Sequence, residues 1–136
     1  MQEEKDFIKR EIQKLALVFK KLTSLIIKIE PKNIENELTT IESNLKKTIN
    51  LTLKEISEMS EAEFIEKIKI FDEQNLEQLL ELIHAIIIKS QKKTKLNLAK
   101  KGIVIADYLD KNSKTFSLKR HDLKNALTHY IQKNFS

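Results

Sequence analysis

The chain has 136 residues, a formal net charge of +5 and no cysteine. This length suits one domain with its own hydrophobic core and is short for two, and a chain without cysteine has neither disulfides nor thiolate metal sites. Because Gly102 and Pro31 are the only glycine and proline, the turns that β-rich proteins need are missing, and the composition predicts an all-α protein.

The first predicted element is a long amphipathic helix over residues 3–28, which Pro31 ends. Steps of three and four place seven apolar residues on one face of this helix; they are Ile8, Ile12, Leu15, Phe19, Leu22, Ile26 and Ile29. Val18, Leu25 and Ile27 add apolar area beside that face. We expect these three to serve self-association or to form a groove for a partner helix, unless a buried helix of the same chain covers them.

Two further helices follow. The same apolar spacing predicts a second helix over residues 34–52, which we expect to pack against the first. Ser60 followed by Glu63 forms a capping box, in which the hydroxyl and the carboxylate each accept a hydrogen bond from the other's backbone amide. This box predicts the start of a short third helix over residues 61–72.

The fourth predicted helix, over residues 76–92, is the most apolar part of the chain. Asn75 and Gln78 offer a second capping box at its start. Its apolar arc is wide enough for burial on more than one side, and consists of Leu76, Leu79, Leu80, Leu82, Ile83, Ile86 and Ile87. We therefore expect this helix in the middle of the core, with His84 as a packing residue rather than a ligand or a catalyst.

The stretch around Gly102 could be a buried strand or a helix. Steps of four, three and four favour a fifth helix over residues 95–111, with one stripe formed by Leu98, Gly102, Ile105 and Leu109. Ala99 and Ala106 flank this stripe, so we expect Gly102 to permit a close approach to a neighbouring helix. A phosphate-binding loop would need further glycines and a preceding strand. A sixth helix is predicted over residues 118–135.

The tail of the chain joins a tyrosine–leucine pair at a helix end to a Thr-Phe-Ser turn and a last basic helix. This pattern, in "LAKKGIVIADYLDKNSKTFSLKRHDLKNAL", resembles the C-terminal end of a family of small uncharacterised bacterial proteins with TPR-like helix pairs. The matching residues are Tyr108, Leu109, Thr115, Phe116, Ser117 and Arg120. The resemblance, together with six helices joined by short links, implies antiparallel pairs in a TPR-like bundle or short superhelix, and it implies no activity.

The positive charge lies in the second half of the chain. Residues 73–136 hold 12 Lys and Arg against 6 Asp and Glu, whereas residues 1–72 hold 13 against 14. A basic patch is predicted at Lys89, Lys92, Lys93, Lys95, Lys100 and Lys101. It suggests a nucleic acid or another polyanion as an alternative partner, but arginines and stacking aromatics are scarce, and an AT-rich genome also encodes much lysine.

A second basic cluster lies at the start of the last predicted helix. Helix starts carry partial positive charge, so cations gathered there favour a bound anion. The candidate residues are Lys114, Thr115, Ser117, Lys119, Arg120 and His121. The alternative is a solvated lysine-rich turn in which Asp122 relieves the repulsion.

Motifs for catalysis or for cofactor binding are missing from the pattern. His121 and His129 are eight residues apart, too far along a helix to hold one metal ion as an i, i+4 pair does. We expect no metal, no cofactor and no enzymatic activity. The apolar runs are too short to span a membrane and the N-terminus lacks the features of a signal peptide, so we expect a cytoplasmic, non-catalytic protein-interaction module that self-associates or binds another protein.

Overall fold

The computed structural model describes residues 2–90 and 95–135. Those residues form seven α-helices, one 3₁₀ turn and no strand, which confirms the predicted all-α class. The helices are α1 (Gln2–Lys28), α2 (Ile34–Ile49), α3 (Leu53–Glu58), α4 (Glu61–Ile68), α5 (Glu73–Lys89), α6 (Leu96–Asn112) and α7 (Leu118–Phe135), with the 3₁₀ turn Pro31–Asn33 before α2.

The helix α3 was not among the six predicted helices. Asn50 adopts a left-handed conformation with φ of 60°, and α2 therefore stops at Ile49 instead of continuing to residue 52. Thr52 then opens α3, because its hydroxyl accepts from the Glu55 amide at 3.0 Å while the Glu55 carboxylate accepts from the Thr52 amide at 3.0 Å. The pattern Thr-x-x-Glu in the sequence is the signal that would have revealed this helix.

The start of α4 follows the predicted capping residue. The Ser60 hydroxyl accepts from the Glu63 amide at 3.1 Å, which satisfies one of the amides that a helix start leaves unpaired. The helix ends at Ile68, earlier than the sequence predicts, and a turn over residues 69–71 leads to α5.

The capping box predicted at Asn75 and Gln78 is wrong. Asp72 is the N-cap of α5, since its carboxylate accepts from the Gln74 amide at 2.9 Å. Asn75 is buried inside the first turn, where its amide donates to the Ile12 carbonyl of α1 at 3.1 Å and lies 3.3 Å from the Gln78 side-chain oxygen. Asn75 therefore connects α5 to α1 and does not cap the start of α5.

The centre of the core is α5, as the width of its apolar arc predicts. Its buried apolar side chains are Leu76, Leu79, Leu80, Leu82, Ile83, Ile86 and Ile87. They contact α1, α6 and α7, and one continuous cluster of buried side chains joins all seven helices. A helix that is apolar over much of its circumference needs neighbours on several sides, and this need explains its central place.

The helices α1 and α5 lie side by side and run parallel. Asn75, near the start of α5, bonds to Ile12, and Lys89, at its end, donates to the carbonyls of Ile27 at 2.9 Å and of Ile29 at 2.8 Å. The bonded residues are 63, 62 and 60 positions apart in sequence. Because this separation is nearly constant along the pair, the two helices run in the same direction.

The helix that α2 contacts most is α1, as the sequence predicts. The main neighbour of α1 is α5, and its contact with α2 is small. Because Ile12 lies level with the first turn of α5, the start of α1 extends beyond that helix. Residues 3–11 are all exposed, including Phe7 and Ile8.

Gly102 lies where α6 crosses its two main neighbours, as predicted from its small flanking residues. A Cβ atom placed on it would be 2.5 Å from the Leu127 Cδ1 of α7, 3.4 Å from the Ile83 Cγ2 and 3.5 Å from the Leu80 Cδ1 of α5. The packing role predicted for this glycine is confirmed, because any larger residue would meet a side chain of α7.

The helices α6 and α7 run antiparallel. Gly102 in the first half of α6 lies beside Leu127 in the middle of α7, while Asp110 at the end of α6 bonds to Arg120 near the start of α7. This arrangement agrees with antiparallel pairs for α6 and α7, and the TPR-like stacking of the whole chain stays a prediction. Among the described helices, none is long and apolar enough to cross a membrane.

Candidate interaction surface

A groove between α1 and α2 contains two of the three residues predicted to form an interaction surface. The groove has a volume of about 570 Å³ and is lined by Val18, Lys21, Leu22, Ser24, Leu25, Lys28, Thr40 and Asn44. Val18 is half-buried and Leu25 is 38% exposed. The groove exists because α1 packs on α5 and leaves the side that faces α2 only partly covered.

The third predicted residue, Ile27, lies elsewhere. It is 60% exposed and borders a smaller hollow of about 250 Å³, which α1 shares with Gln78 and Glu81 of α5 and with Lys119 of α7. The three residues therefore do not form a single patch. The sequence correctly placed all three outside the main buried face of α1 but could not show that they lie on two different sides of it.

The structure fills the predicted anion site with carboxylates of the same chain. Ser117 is the cap of α7, since its hydroxyl accepts from the Arg120 amide at 3.1 Å, and the same hydroxyl donates to the Glu77 carboxylate at 2.6 Å. The Arg120 side chain is only 5% exposed; its Nε donates to Asp110 at 2.7 Å and its Nη2 to the Thr115 carbonyl at 3.0 Å. Glu77 adds a further contact, 3.7 Å from Nη1.

The neighbouring cations of this cluster are engaged or exposed. Lys119 lies 2.6 Å from the Glu81 carboxylate, and Lys114 is exposed. The ring of His121 lies 6.1 Å from that of Phe116. The prediction of a basic anion site did not take α5 into account, whose acidic side chains reach the start of α7. An isolated helix start with these cations would be positively charged, but here the carboxylates of α5 neutralise that charge.

A mixed-charge cleft of about 530 Å³ opens between the starts of α5 and α7. Its lining residues are Asp72, Glu73, Gln74, Glu77, Gln78, Glu81, Ser113, Thr115, Ser117, Lys119 and Arg120. Acidic side chains outnumber the basic ones, and the two cations already contact carboxylates of the chain. The cleft therefore lacks the excess positive charge that the sequence predicts there.

The predicted basic patch is not one continuous surface. Two of its lysines turn inward, because Lys89 binds the carbonyls at the end of α1, and Lys101, 7% exposed, donates to carbonyls at the end of α3. Lys95 is half-buried beside a hollow that also contains Glu42 and Glu58, and Lys100 is exposed. The other two members, Lys92 and Lys93, lie outside the described residues.

The histidines give no sign of a metal site. His84 is half-buried on α5, and burial lowers its pKa while the nearby Glu81 carboxylate acts in the opposite direction. Burial disfavours the charged imidazolium, and the packing role of His84 stays a prediction. His129 is exposed on α7. Over residues 2–90 and 95–135, no three histidine or carboxylate side chains gather closely enough to hold a metal ion.

Comparisons of the chain with protein-family models, with curated proteins and with solved structures found no match.

Proposed function

We propose that this protein is a non-catalytic, cytoplasmic helical module that binds another protein chain through the groove between α1 and α2. The observation that carries the proposal is the incompletely covered apolar side of α1, where Val18 and Leu25 face a groove of about 570 Å³. Exposed apolar side chains gathered in a groove are typical of sites that receive an amphipathic helix.

The charges around the groove indicate what kind of helix it accepts. Lys21 and Lys28 line the groove together with the two apolar side chains, and the part of α1 from residue 12 to residue 28 contains four lysines and no acidic residue. A partner helix with apolar residues flanked by carboxylates is complementary to this surface.

Binding of a nucleic acid or another polyanion is the second candidate. Exposed lysines in the second half of the chain favour it; they include Lys100, Lys111, Lys114 and Lys133. The inward-turned Lys89, Lys101 and Arg120 weaken it, because cations already engaged by the chain are not available for phosphates. We therefore rank this candidate below the protein groove.

The test is affinity capture of the tagged protein from a lysate of its own host, with and without nuclease, at low and moderate salt. The capture is repeated with Leu25→Glu, which places a charge in the groove, and with Leu17→Glu as the matched control. Leu17 is 67% exposed and points about 100° away from Val18 around the helix. Both changes add the same charge to the same helix.

We expect proteins that survive nuclease and moderate salt to be retained by the unchanged chain and by Leu17→Glu, and to be lost with Leu25→Glu. Co-purifying nucleic acid that disappears as salt rises would instead favour the second candidate, since phosphate contacts weaken steeply with ionic strength. Retention that is equal for both variants would contradict the groove as the binding site.

A further inference from the structure

The helix α1 carries a second stripe with heptad spacing beside the face that packs on α5. Steps of three and four connect eight positions, and these are Glu4, Phe7, Glu11, Lys14, Val18, Lys21, Leu25 and Lys28. All are exposed except the half-buried Val18. Such spacing keeps side chains on one seam of a helix, as the a and d positions of a coiled coil require. The acidic members lie at the start of the stripe, and the basic members lie from the middle to its end.

This stripe is complementary to itself when two copies of α1 are laid antiparallel. With the two-fold axis level with residue 16, every a position faces a d position of the second helix. Phe7 then faces Leu25 of the second copy. Glu11 faces Lys21, and Glu4 faces Lys28, so that each acid meets a base, and each of these contacts occurs twice by symmetry. In the remaining pair, Lys14 faces Val18, where its apolar stem can pack while its ammonium stays in solvent.

A parallel pairing of the stripe is unfavourable. A parallel pair would place Glu4 against Glu4, Glu11 against Glu11 and each lysine against its copy, so like charges would meet along most of the seam. Because the contact between α1 and α2 is small, the second stripe stays exposed along the groove, where another helix can reach it. The order of apolar, acidic and basic residues thus favours the antiparallel orientation, and the register centred on residue 16 is the one that pairs all eight positions of the stripe.

We propose that two copies of this chain form an antiparallel dimer through the second stripe of α1. The inference rests on the proposed function and names the partner as a second copy. In each subunit, the exposed start of α1 over residues 3–11 extends beyond α5 and supplies the apolar, acid-flanked helix that the groove of the other subunit accepts. Each subunit thus contributes one groove and one projecting helix start to an isologous interface.

The dimer is expected to be sensitive to salt and moderate in affinity. Its ion pairs lie at exposed positions, where each contributes little and is screened by salt. Glu11 also contacts Lys14 of its own helix at 3.4 Å, with both side chains half or more exposed. This bond leaves the second carboxylate oxygen available for the facing lysine.

Sedimentation equilibrium of the purified full-length protein, over about 1 µM to about 1 mM, tests the charge pattern. Glu11→Lys places a lysine against Lys21 at both symmetric contacts, and we expect the dimer dissociation constant to rise about tenfold or more. Lys21→Glu should have a similar effect. The double variant Glu11→Lys/Lys21→Glu restores opposite charges and should recover the dimer. Far-UV circular dichroism checks that each variant keeps its helices.

Disulfide trapping tests the register, since the chain contains no cysteine. A mixture of Phe7→Cys and Leu25→Cys should cross-link between the two variants under mild oxidation, whereas either variant alone should cross-link much less. Leu17→Cys, more exposed than Leu25 and on another side of α1, is the matched control and should not be trapped with Phe7→Cys.

The two proposals fail in different ways. A protein that stays monomeric at all concentrations, or a dimer indifferent to the charge reversals, overturns the antiparallel dimer. If that monomer still captures lysate proteins through Leu25, the proposed function stands without the dimer. Charge-dependent dimerisation with the expected cross-link supports the inference, even where the chain retains no other protein.

Discussion

Lys101 was predicted to belong to a basic surface patch, but the structure buries it. Its side chain is 7% exposed, and its ammonium donates to the carbonyls of Ile56, at 3.0 Å, and of Met59. These carbonyls lie at the end of α3, where no further helical amide is available and a cation is favoured by the helix dipole. The centre of the Phe64 ring lies 5.9 Å from the Lys101 Nζ. Burial lowers the pKa of Lys101, with the nearby Glu61 carboxylate acting in the opposite direction.

Replacing Lys101 should destabilise the protein far more than replacing its neighbour. Lys101→Met removes the donor from two carbonyls at the end of α3, and a buried group left without its partner costs about 1–3 kcal/mol. Lys100→Met is the matched control, since it removes the same charge from an exposed position and should change stability by less than about 0.5 kcal/mol. Urea unfolding followed by circular dichroism measures both values. Equal stability of the two variants would mean that the hydrogen bonds of Lys101 contribute nothing net.

At the scale of the helix, the break between α2 and α3 depends on local backbone geometry and is secured by side chains. The left-handed Asn50 turns the chain at the end of α2. Glu42 of α2 then accepts from the amides of Leu53 and of Lys54, the latter at 3.2 Å, at the start of α3. Lys46 of α2 lies 3.0 Å from the Glu55 carboxylate, and that hydrogen bond lowers the Glu55 pKa. The apolar spacing continues across this break, so periodicity alone predicts one helix.

Substitutions at Asn50 should depend on whether the new residue tolerates a positive φ. Asn50→Ala should cost about 1 kcal/mol, because the left-handed region costs most residues with a Cβ about 1–2 kcal/mol, and the short polar side chain of asparagine reduces that cost whereas alanine has no such side chain. Asn50→Gly should stay within about 0.5 kcal/mol of the unchanged protein, because glycine adopts this region freely. Thermal unfolding measures both changes.

Asn36→Ala is the control for this prediction. Asn36 is exposed within α2, where alanine is the better helix former and should leave stability unchanged or slightly raised. If Asn50→Ala behaved like Asn36→Ala, the left-handed conformation would not be what ends α2.

At the scale of the whole molecule, α5 decides the arrangement. It contacts α1, α6 and α7, and its acidic side chains Glu77 and Glu81 reach the start of α7. Because α1 packs mainly on α5, its contact with α2 is small, and a groove remains between α1 and α2. Its contact with α6 and α7 requires the close approach at Gly102, where three helices meet.

A double-mutant cycle at Gly102 and Leu127 measures this close approach. Gly102→Ala gains about 1 kcal/mol of helix propensity, but its methyl group meets the Leu127 side chain, and overpacking costs about 1–3 kcal/mol. We expect a net loss of up to about 2 kcal/mol. Leu127→Ala alone should cost about 2–5 kcal/mol through the cavity it leaves.

The coupling between the two changes is the decisive quantity. In the Leu127→Ala background the added methyl group has room, so Gly102→Ala should become neutral or stabilising. Denaturant unfolding of the four proteins gives the coupling free energy. Strict additivity would contradict the contact between Gly102 and Leu127 as the reason for a glycine at this position.

The candidate interaction surface was predictable in part. Val18 and Leu25 stand out because they are apolar and lie beside the main stripe of α1, and both line the groove. Phe7, which belongs to the stripe proposed for the dimer, was not among the predicted residues, although it precedes Val18 by eleven residues and Leu25 by eighteen and therefore lies on the same a/d seam. Ile27 was grouped with them because sequence spacing shows that a residue lies off the buried face but does not show which neighbour occupies each remaining side.

The sequence by itself determined what depends on local order: the all-α class, the apolar faces of the long helices, the central place of α5, and the need for glycine at Gly102. Only the tertiary structure decided which faces meet, because an apolar stripe requires burial without specifying its partner. It set α1 parallel to α5, and it carried Lys89, Lys101 and Arg120 to carbonyls and carboxylates of other segments. Long cationic side chains bury their stems and bond wherever the fold brings an acceptor within reach, so their partners follow from packing and not from spacing along the chain.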